Sequence, residues 1–496
     1  MSVIADPTNR RGVLLLVAIG VVLVVWLSLF PWTGEGDSAT HYINLLESTQ
    51  RPFVALFPWS RPGYVLLNVL PASVSPLVGR LFAATVTVVL CWQTRRLADD
   101  VGLARAWLAP LLLIAQPLVF QLASDFMTEL PMALGLCVAV RLWLNQRRGA
   151  SCLVVGFLPL VRPEGFFIGV AWGVLCLLTP ALGTAPRRLL TSLSLAWGVL
   201  AWMLACALMM PDGDPLTIVR EWSWPTDSRH LYGRGHLLHH VLRWPYYAGP
   251  ALLTLFLAGL RGSMTRRMAL PWLVWLIVFV VHSVLWWRGW MGSQGLMRIQ
   301  CCTAFTTALV CLHGWNVLAD RLPRWIGRPW FRRAMTTAGI AVLVMAPVAY
   351  YVLNPESWQF VHSRQAARFV FEQRLLDDAP AIFFSDLIAV VEADAWQVDR
   401  PRVHCSFDRE EQLRRLEAMP LGAVGVWDNQ RGQVWHGVSI GQLESLGFEV
   451  LYRARFQPPM QSWTRQLAPV LRKRPLVQES AVLRRVKVVS RSEAGL

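Results

Sequence analysis

Where a long apolar run, Val13 to Trp32, gives way to polar sequence, Glu35, Asp37, His41, Arg51 and Arg61 follow within thirty or so residues. Carboxylates placed just outside a hydrocarbon layer, beside basic groups and tryptophans, suit a site that handles a polar substrate on a lipid anchor. Asp37 sits in Gly36-Asp37-Ser38, ahead of the helix-patterned Ala39 to Glu47. It could take a proton from an acceptor hydroxyl as a general base, or serve only as a helix N-cap. His41, one turn on, could hydrogen-bond substrate or be structural.

Three further groupings bear chemistry. Asp125 and Glu129 in SDFMTELP are four apart and share one face if Met127 already belongs to a helix. They could hold a divalent cation with Asp37 or orient an acceptor; alternatively Asp125 caps the helix and Glu129 occupies its favourable first turn. Arg298, after GSQGLM, and Arg61, before Pro62-Gly63, could grip a phosphate with a bidentate fork, or snorkel at an interface. In Arg162-Pro163-Glu164-Gly165 the two charges either pair with each other or serve a substrate. His236, His239 and His240 have helical metal spacing, but no HExxH carboxylate accompanies them, which favours packing. There is no Walker loop, dinucleotide glycine fingerprint or GxSxG elbow.

The elements that must position these residues are membrane helices. With 54% hydrophobic and 16% charged residues among 496, 25 tryptophans and a mean hydropathy of +0.41, the sequence reads as a polytopic α-helical membrane protein. The net charge of +16 fits cytoplasmic loops facing anionic lipid and does not argue for nucleic acid. Eight of nine cysteines fall in or beside apolar segments and Cys405 stands alone in the tail, so there is no disulfide framework. The absence of an Asn-x-Ser/Thr acceptor tilts toward a bacterial inner membrane.

After Val13 to Trp32, a half-buried helix over Val65 to Pro71 and spans over Val74 to Trp92, Trp107 to Phe120 and Met132 to Trp143 are expected. Cys152 to Leu178 is then a hairpin turning at Arg162 to Gly165. One long span would bury both charges and the proline at mid-bilayer and would place the later arginine clusters outside, against the positive-inside rule. Spans over Leu189 to Met210, Tyr246 to Leu260, Met268 to Trp287, Ile299 to Leu318 and Ala334 to Val352 bring the total to about 11. The N-terminus is then cytoplasmic, and the acidic loops share the opposite compartment, where they can converge. Residues 1–353 form this transmembrane module. Residues 354–496 have soluble composition and a βαβ rhythm, with strands over Ala381 to Phe384, Val403 to Phe407, Ala423 to Trp427 and Phe448 to Tyr452 and helices over Arg409 to Met419 and Ile440 to Leu446. That is a C-terminal extracytoplasmic α/β domain.

The order of these pieces over roughly residues 10 to 320 resembles the GT-C superfamily of membrane glycosyltransferases. The matching stretches are Gly36-Asp37 with Arg61-Pro62-Gly63, Ser124 to Glu129, Arg162 to Gly165, Gly213-Asp214-Pro215-Leu216 and Gly295 to Arg298. The resemblance implies transfer of a sugar, a mannose-like hexose favoured, from a polyprenyl-phosphate carrier to a glycan, lipid or protein hydroxyl, with inversion. It also implies Asp37 as base, Arg298, Arg61 and Arg162 at the lipid phosphate, and Glu129, Asp125, His41 and Glu164 toward the substrate or acceptor. Two different readings are a lipid or solute transporter, for which a broken hairpin also speaks but no inverted repeat is visible, and a non-catalytic assembly protein. Replacement of Asp37 separates them.

Overall fold

The computed structural model describes residues 7–29, 36–211, 213–216, 233–291, 295–325, 334, 336–346, 360–393, 395, 402–403, 408–457 and 477–495. Glu35, Cys405, most of the loop between Pro211 and Trp244, and the expected boundary at 353–354 lie outside them. The chain divides into two compact units. One comprises Met1–Trp32 and Asn44–Tyr351, the other Thr33–Ile43 and Val352–Leu496. The expected boundary ran straight through the sequence, whereas the start of the first loop groups with the C-terminal unit.

The first unit is helical. Its helices are α1 (Pro7–Leu29), the end of α2 (Gly36–Gln50), α3 (Pro62–Val74), α4 (Pro76–Asp100), α5 (Ala109–Ile114), α6 (Pro117–Leu122), α7 (Glu129–Leu144), α8 (Arg148–Val161), α9 (Glu164–Leu177), α10 (Ala185–Leu193), α11 (Trp197–Met209), α12 (His239–Leu242), α13 (Trp244–Ser263), α14 (Ala269–Arg288) and α15 (Ala304–Trp325). Among the described residues five helical stretches are long and apolar enough to cross a membrane: Arg10–Leu29, Pro76–Asp100, Ala185–Met209, Arg266–Arg288 and Met297–Arg321. Shorter apolar helices, α3, α8 and α9 among them, lie between.

Two expectations need correction. The helix expected over Val65 to Pro71 runs from Pro62 to Val74, with Pro71 inside it. The single span expected over Trp107 to Phe120 is broken, because Pro117 pushes Gln116 into extended backbone (ψ 119°) and α6 starts afresh. The break leaves the Gln116 side chain to tie the pieces together: Nε2 donates to the Ala304 carbonyl at 2.9 Å and Oε1 accepts from the Tyr247 hydroxyl at 2.8 Å.

The hairpin of α8 and α9 has the turn read from the sequence. Arg162 is extended (φ −155°, ψ 150°), as a residue before proline prefers, and α9 starts just after Pro163. Gly165 is required there, since a Cβ would stand 2.3 Å from the Pro159 nitrogen. A second close approach joins α13 and α15, where a Cβ on Gly259 would lie 2.0 Å from the Val310 carbonyl oxygen and one on Gly314 1.9 Å from that of Leu255.

The second unit is built on a five-stranded sheet ordered β2-β1-β3-β5-β4, with β1 Ile382–Phe384, β2 Arg402–Val403, β3 Val424–Asp428, β4 Phe448–Phe456 and β5 Gln478–Arg485. β2, β1 and β3 are parallel, while β5 runs antiparallel to both β3 and β4. Helices α16 (Val361–Glu372) and α17 (Leu387–Glu392) contribute Ala366, Ala367, Val370, Ala389 and Val390 to one core. Helices α18 (Arg409–Glu417) and α19 (Ile440–Ser445) contribute Leu413, Leu416 and Leu443 to another. Alternate strand residues feed the two cores, Ile382 and Phe384 the first and Phe383 the second, as the two-residue period of a strand dictates.

Candidate active site

The first unit gathers charge at three helix starts. Glu129 is the first residue of α7 and Glu164 the first of α9, positions where the helix dipole favours a carboxylate. Arg162 joins them. Its Nη2 and Nε donate to Glu164 Oε1 and Oε2 at 2.9 and 3.1 Å, and its Nη1 lies 3.0 Å from Glu129 Oε1 while donating to Thr128 Oγ1 at 2.6 Å. Arg298 enters from a 3-10 helix, Met297–Thr303, and places Nε 3.3 Å from the same Glu129 oxygen. His282 of α14 completes the group, with Nε2 2.9 Å from Glu164 Oε1.

Glu129 is 1% exposed, Glu164 4%, His282 5%, and Arg162 and Arg298 8% each. Charges this deep survive only when matched, and two carboxylates face two guanidinium groups. Arg162 is enclosed by the acids, and Glu129 links it to Arg298. A guanidinium at the edge of such a network is held in a fixed direction and can neutralise an anionic leaving group without reorganising.

The other expected site residues are placed as follows. Asp125 is buried and its Oδ1 accepts from the Phe126 amide at 2.9 Å. It does not share a helix face with Glu129, because Met127 lies before α7 and the helix begins only at Glu129. The Ser124 stretch is instead held by α4: Arg80 Nε donates to the Ser124 carbonyl at 3.2 Å and Thr87 Oγ1 to that of Ala123 at 2.9 Å. Arg61 stands before α3 in a left-handed conformation (φ 62°), is 8% exposed, donates from Nη1 to the Pro58 carbonyl at 3.2 Å and lies 5.2 Å from the Trp59 ring. Among the described residues no three metal-ligating side chains come together. The histidines with metal spacing turn to separate neighbours, His239 Nε2 to the Gly295 carbonyl at 2.9 Å and His236 Nδ1 to the Leu238 amide at 3.1 Å.

Arg80, Thr128 and His282 escaped the sequence reading. For Arg80 and His282 a signal existed, since each is an ionisable residue inside an apolar span.

Asp37 and His41 belong to the second unit. Asp37 lies in the first turn of α2 and is half-buried; His41 is 5% exposed. In the same unit a polar network closes over the carboxyl ends of β1 and β3, the point where neighbouring parallel strands are wound in opposite directions. Ser385 Oγ donates to Asp428 Oδ2 at 2.6 Å, and Asp386 Oδ1 accepts from the Ile388 amide at 3.0 Å and lies 3.1 Å from Arg431 Nη1. His362 is buried nearby; loss of solvent pushes its imidazole below the ordinary 6.5, opposed by Asp428 and Asp386.

Comparison of the sequence with protein-family models and with curated proteins returns no match. Comparison of the fold does. The chain is similar to ArnT from Cupriavidus metallidurans in its apo state, with a TM-score of 0.58 at 12% identity over 95% of this chain and 97% of that one. It is also similar to the same protein bound to undecaprenyl phosphate, with a TM-score of 0.55 at 13% identity over 96% and 98%. The chain therefore shares the fold of ArnT along nearly the whole length of both proteins.

Proposed function

We propose that this protein is a GT-C glycosyltransferase that moves a sugar, a mannose-like hexose favoured, from a polyprenyl-phosphate carrier to an acceptor hydroxyl. The observation that carries the proposal is the fold likeness to a protein crystallised with undecaprenyl phosphate; the buried guanidinium groups of Arg162 and Arg298 on Glu129 support it. The acceptor oxygen attacks the anomeric carbon, the bond from that carbon to the phosphate oxygen breaks with its electron pair going to phosphate, and the hydroxyl proton passes to Asp37. The product is inverted. Arg298 and Arg61 bind the departing phosphate, with Glu129 fixing the direction of Arg298 and Arg162 buttressing Glu129. Asp125, His41 and Glu164 serve the acceptor side, and a divalent cation is not required by this scheme.

The proposal includes eleven membrane crossings with the N-terminus cytoplasmic, chemistry on the extracytoplasmic face of a bacterial inner membrane, a transmembrane module over 1–353 and a soluble domain over 354–496. Reconstituted protein supplied with polyprenyl-phosphate mannose tests it. Wild-type protein should release polyprenyl phosphate in step with glycosylated product, and Asp37→Asn should cut kcat by about 10²–10⁴-fold while retaining donor binding. An Asp37→Asn variant at wild-type turnover would refute the assignment of the base.

A further inference from the structure

No residue of Val352–Leu496 has a role in the scheme above, yet that part of the chain forms one unit with Thr33–Ile43, the segment that carries Asp37. Ala39 is fully buried in a small cluster with Phe360 and Ile388, flanked by Leu387 and Val391. Ile43, one turn further along α2, enters the core formed with Ala366, Ala367, Val370 and Ala389. Ala39 and Ile43 are i and i+4, so they make one stripe of the helix. Asp37 and His41 make another stripe, roughly 200° around the helix at about 100° per residue. Seating the Ala39 stripe therefore fixes the rotation of the Asp37 stripe.

The seat is itself rigid. Ile388 lies in the first turn of α17, where its amide is held by Asp386 at 3.0 Å. Asp386 is in turn paired with Arg431 at 3.1 Å, and the Arg431 guanidinium stands 5.7 Å from the Phe360 ring. Arg431 is anchored again through its own amide, which donates to Asp428 Oδ1 at 2.7 Å. The buried polar network at the ends of β1 and β3 thus holds both side chains that receive Ala39.

We infer that the C-terminal unit orients the first-loop base, with Ile388 and Phe360 as positioning residues that act on Asp37 through Ala39. This rests on the glycosyl-transfer reading. A base displaced by about 1 Å loses turnover on the order of 100-fold, whereas donor binding by arginines elsewhere in the chain is untouched.

The test is a set of full-length variants assayed with polyprenyl-phosphate mannose, each first checked for folding by gel filtration and donor binding. Ala39→Leu overfills the seat and should lower kcat at least about 10-fold with the donor KM unchanged. Ile388→Ala should also lower kcat, Ile388→Val should stay near wild type, and Ala39→Leu combined with Ile388→Ala should recover most of the loss. In an Asp37→Asn background Ala39→Leu should have no further effect on the residual rate. If Ala39→Leu does not fold, Ile388→Ala and the combined variant carry the test alone. Folded Ala39→Leu or Ile388→Ala at wild-type kcat, or an undiminished Ala39→Leu effect without Asp37, overturns the inference while leaving the transfer reading in place. A wild-type protein with no turnover on any polyprenyl-phosphate sugar overturns both.

Discussion

Replacing Arg162 by methionine keeps most of the aliphatic stem and deletes the charge that joins α7 to α9. The side chain makes two bonds to Glu164, one contact to Glu129 and one bond to Thr128. Without it, Glu164 loses both of its guanidinium hydrogen bonds and Glu129 one of its guanidinium contacts, in a region where the two carboxylates are at most 4% exposed. Removing one partner of a buried ion pair costs about 3–5 kcal/mol, because the remaining charge stays desolvated. At 3 kcal/mol the unfolding equilibrium moves by more than about 100-fold. Adding Glu164→Gln removes the carboxylate that Arg162 paired with and keeps Glu129 beside Arg298, so the double variant should regain about 2 kcal/mol relative to the sum of the two single losses. Glu129→Gln should rescue less, since it strips Arg298 of a counter-charge 3.3 Å away. Equilibrium unfolding in mixed detergent micelles, followed by circular dichroism, measures the wild type, the three single variants and the two double variants. A loss below about 1 kcal/mol for Arg162→Met, or single losses that add to within about 0.5 kcal/mol, would refute the account of a matched charge set.

The C-terminal unit should weaken in acid. His362 has its folded-state pKa lowered, mainly by burial, so the unfolded chain takes up the proton first; this contribution is present above about pH 6.5 and is lost as pH falls toward the folded value. Hydrogen exchange over α16 should accelerate as pH drops from 7 to 5 beyond the intrinsic chemical trend, and His362→Gln should flatten that dependence; an unchanged slope in the variant would count against the assignment. Gly314→Ala should cost about 1–3 kcal/mol by forcing α15 off the Leu255 carbonyl. Gly441→Ala, which meets nothing within 4 Å and lies inside α19, should be neutral to stabilising by up to about 1 kcal/mol in the same unfolding assay, and equal losses would argue against the close approach.

What the sequence disclosed was local. The hairpin turn was legible because proline dictates the backbone of Arg162, and the strands β1, β3 and β4 were legible because their apolar runs are short and bounded by polar residues, while most of the run Val403 to Phe407 lies outside the described residues. β5 was missed: QESAVLRR places charges around only three consecutive apolar residues, and its place beside β3 depends on partners far away in sequence. The shared helix face of Asp125 and Glu129 was conditional on a helix already existing at Met127, and the helix begins at Glu129, which takes the favourable first-turn position instead. At the network, pairing of Arg162 with Glu164 was one of two readings the spacing left open, and the two do pair, but the reach of Arg162 to Glu129 and of Glu164 to His282 is tertiary and leaves no mark in spacing.

The charge set also has an order in time. As translation proceeds, Glu129 is made first and Arg162 can neutralise it as soon as the hairpin follows, but Glu164 arrives immediately afterwards. Arg298 comes from a segment about 130 residues later. Until ribosome and insertion machinery have delivered that segment, Glu129 lacks its contact to Arg298, beside two arms of 14 residues each, about 21 Å long and shorter than a bilayer core of about 30 Å. The hairpin is therefore a passenger that waits in a hydrated or chaperoned setting, and its final burial reports that the segment carrying Arg298 has arrived.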